Sequence, residues 1–179
     1  MRITRVIPLF ALVVAVMPAC ATLRVHAYEA PGANVARYRS YSWDDAGLGA
    51  TGDPRLDNNR FFHERMVAVV ERELARKGFE RVSGAPDLIV RLHARVAQTA
   101  VDGSPDPRLA TCREGECPAF VFDEGTLLLD FIDARTNRLA WRGWAESDFD
   151  GVVDDQDWMD DTIDRIVTSI LRRLPQHTG

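Results

Sequence analysis

From Leu88 the chain alternates with a period of two: Leu88, Val90, Leu92, Ala94 and Val96 fall on one side, and Ile89, Arg91, His93, Arg95 and Ala97 on the other. Successive side chains of an extended strand point to opposite faces, so this run reads as one strand of an antiparallel sheet with a single buried face. Such a sheet needs a cover, and the sequence offers two amphipathic helices. In the first, Phe62, Met66, Val69, Val70 and Leu74 recur at helical spacing, after a cap at Asn58 or Asn59 and before a left-handed stop at Gly78. The second spans Gln156–Leu174, with Met159, Ile163, Ile166, Val167, Ile170 and Leu174 as its apolar stripe. Asp157, Asp160 and Asp161 lie at its start, Arg172 and Arg173 at its end, and Pro175 stops it, a polarity that suits the helix dipole.

The remaining strands are shorter or less regular. Thr22–Glu29 and Tyr38–Trp43 read as strands separated by a Pro31-Gly32 turn, and Phe79–Val82 as another short one. Asp44–Asn59 and Val101–Pro118 read as loops. Ala119–Ala134 and Arg138–Phe149 form a hairpin whose inner residues are Leu127, Leu129, Phe131 and Leu139, Trp141, Gly143. Keeping those residues opposite one another pairs 131 with 141 and 129 with 143, leaving Arg135-Thr136-Asn137 as a three-residue turn with Asn137 left-handed. The same register sets Asp130 against Arg142 on the outer face. The expected fold is therefore α+β, an antiparallel sheet with two helices packed on one face.

The first 19 residues read differently from the rest. Arg2 and Arg5 precede an apolar run, Val6 to Met17, interrupted only by Pro8. About 20 apolar residues are needed to cross a bilayer, so this run is too short, but it fits the core of a secretory signal. Residues 1–19 are thus expected to be a lipoprotein-type signal peptide and 20–179 a single domain. Two cut sites compete. Met17-Pro18-Ala19-Cys20 resembles a lipobox that would leave Cys20 acylated, whereas Ala19-Cys20-Ala21 is an ordinary small-x-small site. The first is favoured, because an unpaired thiol is unusual in an exported protein. By resemblance to bacterial lipoproteins, Ala21 rather than aspartate after the cysteine points to the outer membrane, facing the periplasm; a soluble periplasmic protein is the alternative.

The order of several short motifs resembles the family named domain of unknown function 4136, small bacterial envelope lipoproteins. The motifs are Tyr41-Ser42-Trp43, Pro86-Asp87-Leu88-Ile89-Val90, Glu124-Gly125-Thr126-Leu127, Asp130–Asp133 and Leu139-Ala140-Trp141-Arg142-Gly143, followed by the terminal helix ending Leu174-Pro175. The resemblance implies an exported α+β domain and no assigned activity.

Chemistry is hard to find. The whole chain carries a net charge of −5, and a segment with two arginines and no acid lies in the signal, so the domain has no electrostatic footprint for nucleic acid. No nucleophile elbow, phosphate loop or paired-histidine metal helix is present, and no cofactor is expected. The acidic 146–164 segment could serve a periplasmic hydrolase or divalent-metal enzyme, with Asp148, Asp150, Asp154 and Asp155 as ligands. Counted from Asp148, however, Val152 and Met159 occupy positions where a calcium loop needs oxygens. The favoured reading is a non-catalytic binding or assembly module, held at the membrane by its lipid and engaging an envelope protein. Its candidate face is Arg91, His93, Arg95, Asp130, Arg142 and Trp144, outward-facing if Leu88, Val90 and Leu92 point inward. The opposing structural reading has Asp130 pairing Arg142 and Trp144 covering Leu128.

In an oxidising compartment Cys112 and Cys117, separated by the four residues Arg113-Glu114-Gly115-Glu116 with their flexible glycine, are expected to form a disulfide. Thiol titration of the unfolded, unreduced protein should find neither reactive; two free thiols from these positions would contradict the pairing.

Overall fold

The computed structural model describes residues 23–44, 47–102, 119–149 and 151–176, with side chains described outside 98–102 and 119–123. Cys20, Cys112, Cys117 and Asp150 lie outside the described residues, as does the whole signal-like segment. Six strands make one sheet: β1 (Arg24–Glu29), β2 (Ser40–Trp43), β3 (Glu80–Arg81), β4 (Leu88–Asp102), β5 (Ala119–Asp133) and β6 (Arg138–Asp148), in the order β1-β6-β5-β4-β2-β3. Three α-helices accompany it: α1 (Pro54–Asp57), α2 (Arg60–Arg76) and α3 (Gln156–Leu171).

The alternation of β4 does what it dictates. Leu88, Val90 and Leu92 are buried, as are Leu127, Leu129 and Phe131 of β5 and Trp141 and Ala145 of β6. They form one cluster with Phe62, Met66, Val69, Val70 and Leu74 of α2 and with Met159, Ile163, Ile166, Val167, Ile170 and Leu171 of α3. Both long helices therefore cover the same sheet face, giving the two-layer α+β architecture expected from the stripes.

The sheet is mostly antiparallel, and its exception is β2, which runs parallel to β4 and to β3. The chain reaches that parallel alignment through α2, whose length carries it back to the starting end of the sheet. A reciprocal clamp fixes the β2 edge to β4. The Asp87 carboxylate accepts from the backbone amides of Arg39 (2.8 Å) and Ser40 (2.9 Å), and the Asp87 amide donates to the Ser40 hydroxyl (3.0 Å). Those backbone donors hold the Asp87 carboxyl below the usual range. Trp43 donates its indole N–H to Glu71 of α2 (2.8 Å), which also receives Arg81 (2.7 Å). The Tyr-Ser-Trp and Pro-Asp motifs are thus the two sides of one joint.

Three local features differ from the sequence expectation. Within the Asp44–Asn59 loop, Pro54–Asp57 forms the single turn α1, capped by the Asp53 carboxylate on the Arg55 amide; Asn59 then caps α2 by accepting from Phe62. The terminal helix ends at Leu171, one turn short of Leu174, and the Lys77 ammonium donates to the Leu174 carbonyl (2.7 Å). In the hairpin the pairs Leu129–Gly143, Asp130–Arg142 and Phe131–Trp141 are as expected, but the register shifts after Phe131 so that Asp133 meets Arg138. Ala140 is the extra residue, and the turn is four residues, Ala134–Asn137, with Asn137 left-handed (φ 53°). The bulge carbonyl of Ala140 accepts from the Ala30 amide at the end of β1, so the irregularity is used by the neighbouring strand.

Trp141 is the largest fully buried side chain. Its ring meets Phe131 edge-on at 5.3 Å and lies across Gly143, two residues along the same face. A Cβ at 143 would stand 2.2 Å from the Trp141 ring and 2.6 Å from Ile170 of α3. Gly143→Ala should therefore destabilise the domain by about 1–3 kcal/mol through overpacking, read as a lower denaturation midpoint at unchanged slope. In a Trp141→Phe background the added methyl should cost less, since the ring atoms it meets are gone.

Candidate functional site

The register places all six predicted face residues on the side of the sheet away from the helices, in three adjacent rows. Across β4, β5, β6 and β1 these rows read Arg91, Asp130, Arg142, Tyr28; then His93, Leu128, Trp144, His26; then Arg95, Thr126, Glu146, Arg24. The β1 residues were not legible as part of this face, because β1 pairs with β6 and not with a strand near it in sequence.

Charge on this face is largely neutralised within it. Arg142 grips Asp130 with both arms of the guanidinium, at 2.6 and 2.7 Å, and Asp130 is 6% exposed despite lying on the outer face. The bond raises Arg142 above its ordinary range. Arg91 pairs with Asp44, which follows β2, and not with Asp130 beside it. Arg24 bridges Glu124 (2.7 Å) and Glu146 (3.3 Å). His93 and Arg95 are exposed. Trp144 is half-buried, and its ring partner is His26, stacked at 5.1 Å and 19°. With Tyr28, 47% exposed one row away, the pair makes an aromatic strip at the β1 edge.

The acidic 146–164 segment is dispersed by the fold. Glu146 sits on Arg24, Asp154 lies 3.6 Å from Arg55, and Asp155 caps α3 by accepting from Trp158. Asp164 holds Arg72 (2.7 Å) and Asp160 pairs with Arg65, bracing α3 against α2. Asp148 is exposed at the end of β6. Among the described residues no group of three or more His, Cys, Asp or Glu is placed to hold a metal ion.

A concavity that sequence reasoning missed lies at the hairpin end of the sheet. It has a volume of about 470 Å³, between the Pro31-Gly32 turn and the β5–β6 turn, and Arg37, Arg135, Arg138, Leu139 and Ala140 are among the residues that line it. Its residues come from two segments that the chain's linear order keeps far apart, so no spacing announces them.

The Asp130–Arg142 pair separates a structural role from a contact role. Arg142→Ala removes both side-chain hydrogen bonds to a buried carboxylate and should destabilise by about 1–3 kcal/mol in equilibrium unfolding. Arg91→Ala breaks a more exposed pair and should change stability by less than about 1 kcal/mol. Equal effects of the two substitutions would contradict this burial-based ordering.

Comparison with proteins of curated function returns no match. Among solved structures, the PelC dodecamer from Paraburkholderia phytofirmans superposes with a TM-score of 0.50 at 9% identity, covering 88% of this chain and 100% of that one. A PDZ domain protein from Parabacteroides distasonis gives 0.51 at 13%, covering 89% of this chain and 36% of that one. A DUF4136-family protein from Bacteroides thetaiotaomicron gives 0.49 at 9%, covering 84% and 92%. At such identities the likeness is one of fold. The family model described as "Domain of unknown function (DUF4136)" matches residues 25–176, which take in all of the sheet but the first residue of β1 and both long helices, and the chain belongs to that family.

Proposed function

We propose that the protein is an envelope lipoprotein, anchored through an acylated Cys20 and working as a non-catalytic assembly module. Its contact surface is the β1 edge with the adjoining aromatic strip, and the occupant is a second copy of this chain. The observation that carries the reading is the open edge. β1 ends the sheet, and Arg24–Glu29 contains no proline and no lysine to discourage pairing. Its outward backbone groups can accept a further strand, while Tyr28, His26 and Trp144 supply apolar and aromatic area beside it. The dodecameric state of the similarly folded PelC protein supports an assembly role for this architecture.

The metal-enzyme alternative draws no support from the dispersal of its acids among capping and ion-pair roles. The N-terminal basic-apolar-small-Cys order supports the anchor, since acyl chains in pairs hold a domain at a membrane where one is marginal.

Two measurements test the reading. Intact mass of the mature protein from envelopes should show an acylated chain beginning at Cys20; an unmodified chain beginning at Thr22 would refute the anchor. Sedimentation of a soluble Cys20-lacking form should show self-association that Tyr28→Ala with Trp144→Ala lowers by about tenfold or more, as expected on losing aromatic anchors. A monomer at all accessible concentrations would refute self-assembly.

A further inference from the structure

We infer that the groove at the hairpin end of the sheet is a binding site for an anion, a carboxylate or phosphate borne on a small, partly apolar body. This site is separate from the β1 edge and does not depend on it.

The groove is built from both ends of the β1–β2 connection and from the β5–β6 turn. Ala30–Ala33 closes a tight turn, with the Ala33 amide donating to the Ala30 carbonyl (2.9 Å) and Gly32 at φ +81°. A 3-10 turn at Val35–Arg37 then brings Arg37 to one wall. The opposite wall is Arg135 and Thr136, and Arg138 opens β6 beside them. Three exposed arginines thus line one concavity in a protein whose net charge is −5.

The groove holds one carboxylate, Asp133, whose hydrogen bonds come from neutral donors, with Arg135 near enough to act on it electrostatically. The Tyr38 hydroxyl donates to it at 2.7 Å, the Thr136 amide at 2.7 Å and the Thr136 hydroxyl at 2.9 Å. These bonds, Tyr38 foremost, pull the Asp133 carboxyl down to about 2, while burial and the same bond push the Tyr38 phenol up to about 12. Arg37, Arg135 and Arg138 make no ion pair with any carboxylate among the described residues, whereas Arg24, Arg91 and Arg142 on the outer face each do.

Among the described residues, Arg37 and Arg138 line the groove without a carboxylate within ion-pair distance, and a guanidinium is a planar fork that matches the oxygens of a carboxylate or phosphate. Ala30, Ala33, Leu139 and Ala140 add apolar lining to a mainly polar groove, which suits a small hydrocarbon portion of the molecule bearing that anion. At about 470 Å³ the volume falls within the range of small-molecule sites. The site lies where β1 ends, about 20 Å along the strand from where Leu23 enters it, at a rise of about 3.3 Å per residue.

The test is an amide-shift titration of the processed, isotope-labelled protein with D-glucuronate and with inorganic phosphate, using D-glucose as the uncharged control. The anions should produce saturable shifts at Arg37, Arg135 and Thr136, weakened by added salt, and glucose should not. Replacing Arg37, Arg135 and Arg138 together by Gln should weaken binding by about tenfold or more. Asn34→Asp, which adds a negative charge at the rim with little change of shape, should weaken it in protein that needs no other alteration. Flotation with phosphatidylglycerol vesicles, lost in the triple variant, would uphold the site and assign the anion to a lipid headgroup. Equal response to glucose and glucuronate, or affinity unchanged in both variants, would overturn the inference, as would failure to bind phosphate, glucuronate and vesicles alike.

Discussion

The packing of Trp141 over Gly143 is the contact on which the arrangement of the two layers depends. A tryptophan buried between sheet and helices needs a flat bed, and the neighbour two residues along the same face has to surrender its side chain to provide one. Gly143 does so, and Ile170 of α3 closes over the space. Phe131 on the adjacent strand meets the ring edge-on, so one side chain joins β5 and β6 to the C-terminal end of α3. The Leu-Ala-Trp-Arg-Gly motif is accordingly a packing device on its inward residues. Its outward residue, Arg142, has the separate task of neutralising Asp130.

Much of this architecture could be read in the sequence, for reasons that are local. The two-residue period of β4 and the helical stripes of α2 and α3 each register a single buried face. The hairpin register followed from placing Phe131 against Trp141 and Leu129 against Gly143. The bulge at Ala140 did not, because one extra residue next to a turn leaves the inward pattern of the strand centres intact. The location of β1 was hidden for a different reason. Its partner β6 lies near the other end of the domain, and a six-residue strand with mixed side chains carries no mark of whom it will pair with. Without that placement, His26 cannot be connected to Trp144, nor Arg24 to Glu146.

The candidate sites show the same division. Face residues within regular strands could be assigned by parity, and the structure gathers Arg91, His93, Arg95, Asp130, Arg142 and Trp144 on one side. The acidic stretch 146–164 looked like a cluster because it is contiguous, yet it crosses the end of a strand, a turn and two faces of a helix. The fold sends its members to different cations and to a helix cap. The arginine-lined groove is the converse case. Arg37 and Arg135 are unremarkable alone, and only the sheet order brings their turns side by side.

That same strand order, β1-β6-β5-β4-β2-β3, has a bearing on how the chain reaches its folded state. The first strand of the domain to be synthesised is held by the last one, almost the whole domain later. Helix α2 and the β5–β6 hairpin close over short stretches of chain and can form early, whereas β1 has no edge to join until β6 is in place. Strand β1 can therefore be secured to the sheet only after β6 has been made. A chain handled by its leading end before it folds would keep that end extended and accessible while the rest consolidates behind it.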